Sequence, residues 1–439
     1  MHNGQQTESS ANSGWKLPSA LRSLGHRNYR LFFFGQLISL TGTWMQAVAQ
    51  SWLVYRLTGS AVLLGLVGFS GQIPILLLAP FGGIVADRYA RHRILVATQA
   101  ASMILAFVLA ALVLTKHIQV WHIFLIAALL GLVNAVDIPT RQSFVMNMVG
   151  RNDLANAIAL NSSMFNGARI VGPALAGILV AAIGEGWCFF ANAVSYIAVV
   201  AGLLMMRMEP QPRPHAIESA LAGIAKGFDY VRRTKPVLAL LLLLGGISIM
   251  GMPYTVLMPI FADQILHGGV RGLGLLIGAS GIGAFLGAIV LATRKNTLGL
   301  GKWIALAAGG FGTCLMLFSL SRLFWLSLSL LVPVGFFMMV AAASLNTMIQ
   351  TIVPDNLRGR VMALHTMMFM GMAPFGALLA GVLAHYFGAP VTVALGGAMC
   401  VGTALAFRRQ LPALQREAGM ILVPLDMIGR NMDGGVPKE

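Results

Sequence analysis

The sequence predicts an all-α membrane protein, with twelve transmembrane helices arranged as two pseudo-symmetric six-helix bundles. Three observations predict it. Of 439 residues, 57% are hydrophobic and only 10% are charged, far from the balance of a soluble domain. The apolar residues gather in runs of about twenty or more, enough for a helix to cross a bilayer, whereas barrel strands are short and alternate. The chain also repeats itself. A shift of 204 residues carries Gly42, Gly65, Gly68, Gly83, Gly131, Gly167, Gly172, Gly177 and Gly184 onto Gly246, Gly269, Gly272, Gly287, Gly335, Gly371, Gly376, Gly381 and Gly388. Those are nine of the sixteen glycines between residues 28 and 206, where chance gives roughly two, so the chain reads as an internal duplication. The shift spans six helices, an even number, so both copies enter the membrane in the same direction, with a pseudo-twofold axis along its normal and a cavity where they meet.

Taken in order, residues 1–27 are polar and carry no cleavable apolar stretch, so they read as a cytoplasmic segment before a retained first span. Spans are expected near 28–56, 60–87, 93–115, 119–148, 153–183 and 186–207, making an N-terminal bundle over 28–207. Residues 208–235 read as a cytoplasmic linker. It opens with Glu209-Pro210-Gln211-Pro212-Arg213-Pro214, which cannot be helical, and from Ile217 to Val231 it has the spacing of an amphipathic surface helix. Spans near 236–265, 269–293, 302–320, 323–352, 357–386 and 389–408 make the C-terminal bundle over 236–408, and 409–439 is left as a cytoplasmic tail.

The net charge of +16 would suggest nucleic acid in a soluble chain, but its distribution points elsewhere. Of thirty Lys and Arg, only Arg56, Lys116, Arg271 and Arg322 fall in the expected outer loops, and Arg169 lies mid-span; the rest gather on the other side. By the positive-inside rule that side is cytoplasmic, and so are both termini. Nucleic acid is not an expected partner. Cys188, Cys314 and Cys400 are isolated, which argues against a disulfide framework or a metal cluster.

The turn between the second and third spans, Gly82-Gly83-Ile84-Val85-Ala86-Asp87-Arg88-Tyr89-Ala90-Arg91-His92-Arg93, holds glycines for close helix approach and a cluster of charge. It resembles the signature loop of the major facilitator superfamily, G-x-x-x-D-[RK]-x-G-[RK]-[RK], with Gly83, Asp87, Arg88, Arg91 and Arg93 on the pattern. Ala90 and His92 depart from it. The duplicate elbow keeps Gly287 but has Leu291 where Asp87 would map. Asp87 has two readings: a helix-end cap, or a latch that bonds across the interface to the N-terminus of the eleventh span near Asn356. Asp137 falls in the inner third of the fourth span. Resemblance implies a relay of Asp87, Arg91 and Asp137; a local pair with Arg141 is the other reading.

In the fifth span, Gly167, Gly172, Pro173 and Gly177 resemble the superfamily's antiporter motif. Small residues around the helix, with a proline removing one hydrogen bond, predict a segment that bends against its neighbours. Arg169, in the same stretch, lies near the bilayer centre at a cost of at least about 3 kcal/mol on insertion scales. It pairs with Asn161, Asn166 or a backbone carbonyl, or else it binds an acidic substrate group. Gln36, Ser39, Thr43, Gln46 and Gln50 share one face of the first span, either as interhelical hydrogen-bond glue or as cavity lining, with the stripe favouring the cavity. Methionines crowd the tenth and eleventh spans and suit an apolar or amphipathic substrate. The cavity is thus expected to include Gln46, Gln50, Asn166, Arg169, Met338 and Met339.

The opening Asn28-Tyr29-Arg30-Leu31-Phe32, the elbow, the run Asp137 to Gln142 and the stretch Asn152 to Gly177 resemble the bacterial branch of the superfamily that holds the enterobactin exporter and the macrolide and drug efflux proteins. The resemblance implies the major facilitator fold, an inner-membrane location, and export of small lipophilic or amphipathic compounds by alternating access. An importer of a nutrient or lipid on the same fold is the alternative. Expected partners are the substrate and membrane lipid, with the protein acting as a monomer. Protons enter only through the resemblance, since no carboxylate falls at the midplane and His365 reads as a core histidine more readily than as a titrating group. No cofactor or metal is expected, and no P-loop, carboxylate pair or Ser/His pair suggests an enzyme.

Overall fold

The computed structural model describes residues 19–207, 220–293 and 299–432; within these, the side chains of residues 19–20, 79–80, 84, 87, 151, 220–226, 356 and 414–432, Asp87 and Asn356 among them, lie outside the description. The described chain is almost wholly helical. The main helices are α1 (Arg27–Thr58), α2 (Ala61–Arg88), α3 (Arg91–Leu114), α4 (Val120–Gly150), α5 (Asn152–Ile183) and α6 (Glu185–Leu204). The second set is α7 (Lys235–Ile265), α8 (Gly269–Ala292), α9 (Leu300–Leu320), α10 (Phe324–Ile352), α11 (Leu357–Phe387) and α12 (Ala389–Met432). A separate helix, Ala220–Arg233, lies between the sets.

Eleven of these helices are long and apolar enough to cross a membrane, where twelve spans were expected. The exception is α1. Its 32 residues reach about 48 Å at 1.5 Å per residue, but Gln36, Ser39, Thr41, Thr43, Gln46, Gln50 and Ser51 dilute its hydropathy. Such a helix must be screened from lipid by protein, and α1 packs against both α5 and α6.

The duplication reappears in the packing. In the first set α2 packs on α4, α3 on α6, and α1 on α5 and α6; in the second, α8 packs on α10, α9 on α12, and α7 on α11 and α12. Individual contacts repeat as well. A Cβ on Gly172 would lie 2.6 Å from the Trp44 Cβ on α1, and a Cβ on its counterpart Gly376 would lie 2.5 Å from the Ile249 carbonyl on α7. Gly184 and Gly388, also counterparts, turn the chain with φ of +86° and +81°, a region closed to most other residues.

Three departures from the expected elements have physical causes. Helix α5 continues through Pro173, whereas α11 breaks at Gly371 and Met372, where Pro374 follows at the start of the next segment. In α7, Pro253 and Pro259 remove backbone donors, and the helix passes through wider turns at Ile247–Gly251 and Phe261–Ile265 and a tighter one at Met252–Thr255. The twelfth helix continues past residue 408 to Met432, because hydropathy marks where the apolar stretch ends, not where helix formation does. Of the expected linker, residues 208–219 lie outside the described residues, and the helical part begins at Ala220.

Candidate functional site

The two sets of six helices meet along two seams, α5 with α8 and α2 with α11. Both are built on glycine and small residues. Starting at the end remote from the chain termini, a Cβ on Gly177 would lie 3.1 Å from the Val270 carbonyl. Gly274 faces the Pro173 carbonyl and lies against Gly177, and Gly281 sits by the Arg169 carbonyl at 3.2 Å. On the other seam Gly381 packs on the Ala61 carbonyl, Gly65 on the Ala377 carbonyl and Gly371 on Leu76. Phe69 and Phe375 meet edge to face at 5.9 Å. At the same remote end the Tyr55 hydroxyl of α1 donates to Asp263 Oδ2 of α7 at 2.8 Å, a third tie between the sets.

Beyond Arg169 on one seam and Gly371 on the other, towards the termini, side chains become exposed. On α5 these are Ser162, Ser163 and Phe165; on α2, Leu77 and Phe81; on α11, Thr366, Met367 and Met370; on α10, Thr347, Gln350 and Thr351. The close contacts between the sets thus lie on the remote side of Arg169 and Gly371, and side chains on the terminal side are exposed.

Arg169 stands where the α5–α8 seam gives way to these exposed side chains. It is half-buried, and its guanidinium lies over the Trp44 ring at 5.9 Å from Cζ to the ring centre. Trp44 in turn meets Phe165 edge to face at 5.6 Å. Across the seam, the Tyr254 hydroxyl of α7 is within electrostatic reach of Arg169 and shares a 2.7 Å hydrogen bond with Ser280 of α8. The partners expected from sequence are engaged elsewhere: Asn166 donates to the Ser162 carbonyl at 2.9 Å, and Asn161 accepts from the Tyr29 hydroxyl at 3.0 Å. Among the described residues Arg169 has no carboxylate partner.

A second charged group lies inside the first set. Asp137 is 1% exposed, accepts from Thr98 Oγ1 at 2.7 Å and Gln99 Nε2 at 2.8 Å, and pairs with Arg141 of its own helix. Arg141 also donates to Gln36 Oε1 at 3.3 Å. Asp137 makes the local pair with Arg141. Arg91 donates to Asn147 Oδ1 at 3.0 Å, and the relay's first member, Asp87, is among the side chains outside the description. The expected latch from Asp87 to Asn356 rests on two side chains outside the description.

The chain matches, over residues 18–426, the family described as transmembrane secretion effector. It belongs to that family of the major facilitator superfamily. It is a membrane transporter and not an enzyme. It is 27% identical over 386 residues to the staphyloferrin A transporter of Staphylococcus aureus, covering 86% of this chain and 95% of that one. To the multidrug efflux pump Tap of Mycolicibacterium fortuitum it is 27% identical, covering 82% and 90%. To the enterobactin exporter EntS of Shigella boydii it is 26% identical, covering 82% and 85%. In fold it is similar to a POT family transporter crystallised with 5-aminolevulinic acid, with a TM-score of 0.73 at 10% identity, covering 88% of this chain and 96% of that one.

The remaining sequence-derived positions of the transporter divide between packing and exposure. Gln46 is buried and accepts from Asn192 Nδ2 at 2.6 Å, and the buried Gln36 accepts from Arg141, so these two tie α1 to its neighbours; Ser39 is buried, Gln50 half-buried and Thr43 exposed. Met338 is buried in the hydrophobic core and Met339 packs against Gly287; of the methionines on α10 and α11, Met367 and Met370 are exposed. In the elbow, Arg88 and Arg93 are exposed, and the close approach to α4 is made by Gly82 against the Ala135 carbonyl, while the face of Gly83 is open. Gly172, Pro173 and Gly177 lie in helix contacts, but Gly167 faces open space. Trp44, Tyr254 and Ser280 were not singled out from sequence. No signal in the sequence set Trp44 apart, since α1 also holds Trp52 and Trp44 lies about 100° round the helix from Thr43 of the polar stripe.

Proposed function

We propose that the transporter exports small amphipathic compounds, siderophore-like or drug-like, across the bacterial inner membrane by alternating access. One observation carries this reading: the close contacts between the two sets of helices, made by interlocking small residues, lie at the remote end, and side chains on the terminal side of one central cation are exposed. Small residues allow backbones to approach closely with no large side chain to dislodge, so the seams form a contact that opens and closes at low cost. The excess of Lys and Arg at the terminal end favours a cytoplasmic placement of both termini, so the open end faces the compartment from which an exporter loads. Residues 28–207 and 236–408 are proposed as the moving bodies. The efflux pump and the enterobactin exporter among the relatives support the outward direction.

Asp87 is proposed as the latch that closes the terminal end once cargo has left the opposite one. Replacing Asp87 by Asn is expected to reduce transport at least about tenfold while the protein still purifies as a folded species, because a charge at a helix end is worth about 1 kcal/mol or less. Uptake into everted membrane vesicles, with and without an imposed pH gradient, measures this. Wild-type rates in the variant would remove the latch, and accumulation only in right-side-out vesicles would make the protein an importer.

A further inference from the structure

We infer that Arg169, with Trp44 and Phe165, forms an anion subsite at the apex of the open region, taking a carboxylate or similar oxyanion on a ring-bearing amphipathic substrate. The inference deepens the export reading above and rests on it. Arg169 lies near the middle of α5, about 26 Å along the helix from Asn152 at 1.5 Å per residue, where an unpaired guanidinium is costly. Within a packed helix pair such a charge ordinarily finds a carboxylate, and Arg141 and Arg56 have theirs, in Asp137 and Glu185. Arg169 has an aromatic ring on one side and the Tyr254 hydroxyl within electrostatic reach across the seam. A ring under a guanidinium holds it in place while leaving its N–H donors for another acceptor.

Its position makes that acceptor a ligand. The seam is closed on one side of Arg169, by Gly274 against Pro173, and open on the other, where Phe165 is 47% exposed one turn away on the same helix. A molecule entering from the terminal end meets the cation last. Towards that end Met367 and Met370 of α11 are exposed. One charge at the end of this region suits an amphipathic anion over a cation, which Arg169 repels, and over a neutral compound, which leaves it unpaired.

Binding of 1-naphthoate, 1-naphthylmethanol and 1-naphthylmethylamine to the purified full chain in phosphatidylcholine nanodiscs, followed by tryptophan fluorescence, tests this. The wild type is expected to bind the anion about 10- to 100-fold more tightly than the alcohol, the worth of a charge-assisted contact, and the amine least. Arg169→Gln is expected to abolish that preference with alcohol binding unchanged, and Arg169→Lys to keep part of it. Equal wild-type affinities for anion and alcohol overturn the subsite without recourse to any variant, as does an equal loss for both ligands in Arg169→Gln. Repeating the titration in phosphatidylglycerol nanodiscs separates a substrate site from a lipid headgroup site: unchanged affinity supports the former, and displacement of naphthoate overturns it. If vesicles carry nothing but the anion preference and its loss in Arg169→Gln hold, the export reading fails and the subsite stands.

Discussion

Asp137→Ala is expected to lower the thermal midpoint and the folded yield of the purified protein more than any other single replacement in the first six helices. The carboxylate is 1% exposed and has three donors, Thr98, Gln99 and Arg141. Removing it leaves the half-buried Arg141 guanidinium without its counter-charge and two buried donors without their acceptor, which costs up to about 3 kcal/mol. Asp137→Asn keeps an acceptor for Thr98 and Gln99 and is expected to fall between. Because part of the cost comes from the orphaned cation, Asp137→Ala combined with Arg141→Met should recover part of the loss. Thermal unfolding in detergent, read by loss of monodisperse protein on gel filtration, measures all three. An unchanged midpoint in Asp137→Ala would mean that the network contributes nothing to stability.

Gly274→Val is expected to reduce transport at least about tenfold with little loss of folded protein, the opposite division of effects. A Cβ at this position would run into the Pro173 carbonyl and lie 3.0 Å from the Gly177 Cα, so it meets backbone that cannot rotate away. The contact lies between the two sets of helices and not within either, so each set keeps its own packing. The remote end is then held apart, and a transporter that cannot close one end cannot complete a cycle. Val is a good test because it adds bulk without polarity. Normal transport in Gly274→Val would show that the α5–α8 seam is not part of the working motion.

The sequence discloses the fold class because the bilayer imposes one demand along every span, and Leu, Val, Ile and Ala answer it in runs that a reader can see. It even discloses the duplication, since Gly172 and Gly376, or Gly184 and Gly388, do the same job in both copies. It discloses Arg169 as an anomaly, because a charge in the middle of a span stands out in one dimension. What surrounds Arg169 is not legible. Trp44 reaches it only through the rotation of α1 against α5, and Tyr254 only through the irregular path of α7.

The same limit explains Gln46 and Met338. A polar stripe on α1 says that the face avoids lipid, but protein and water satisfy that demand equally, and Gln46 meets Asn192. A methionine cluster says that the packing is adaptable, but Met338 lies in the core and Met367 outside it. Adjacent residues on a helix point about 100° apart, so the motif position Gly83 and the packing position Gly82 are neighbours in sequence with different surroundings.

The account depends on two sets of helices that seal one end at a time. Distances between spin labels test that directly, once Cys188, Cys314 and Cys400 have been replaced. One label pair, at the exposed Ile178 and Leu275, spans the remote end, and a second, at Ile158 and Val290, spans the terminal end. On adding a compound that the protein transports, the remote pair is predicted to separate as the terminal pair closes. Distances that stay fixed at both ends, or that lengthen together, while transport proceeds would contradict it.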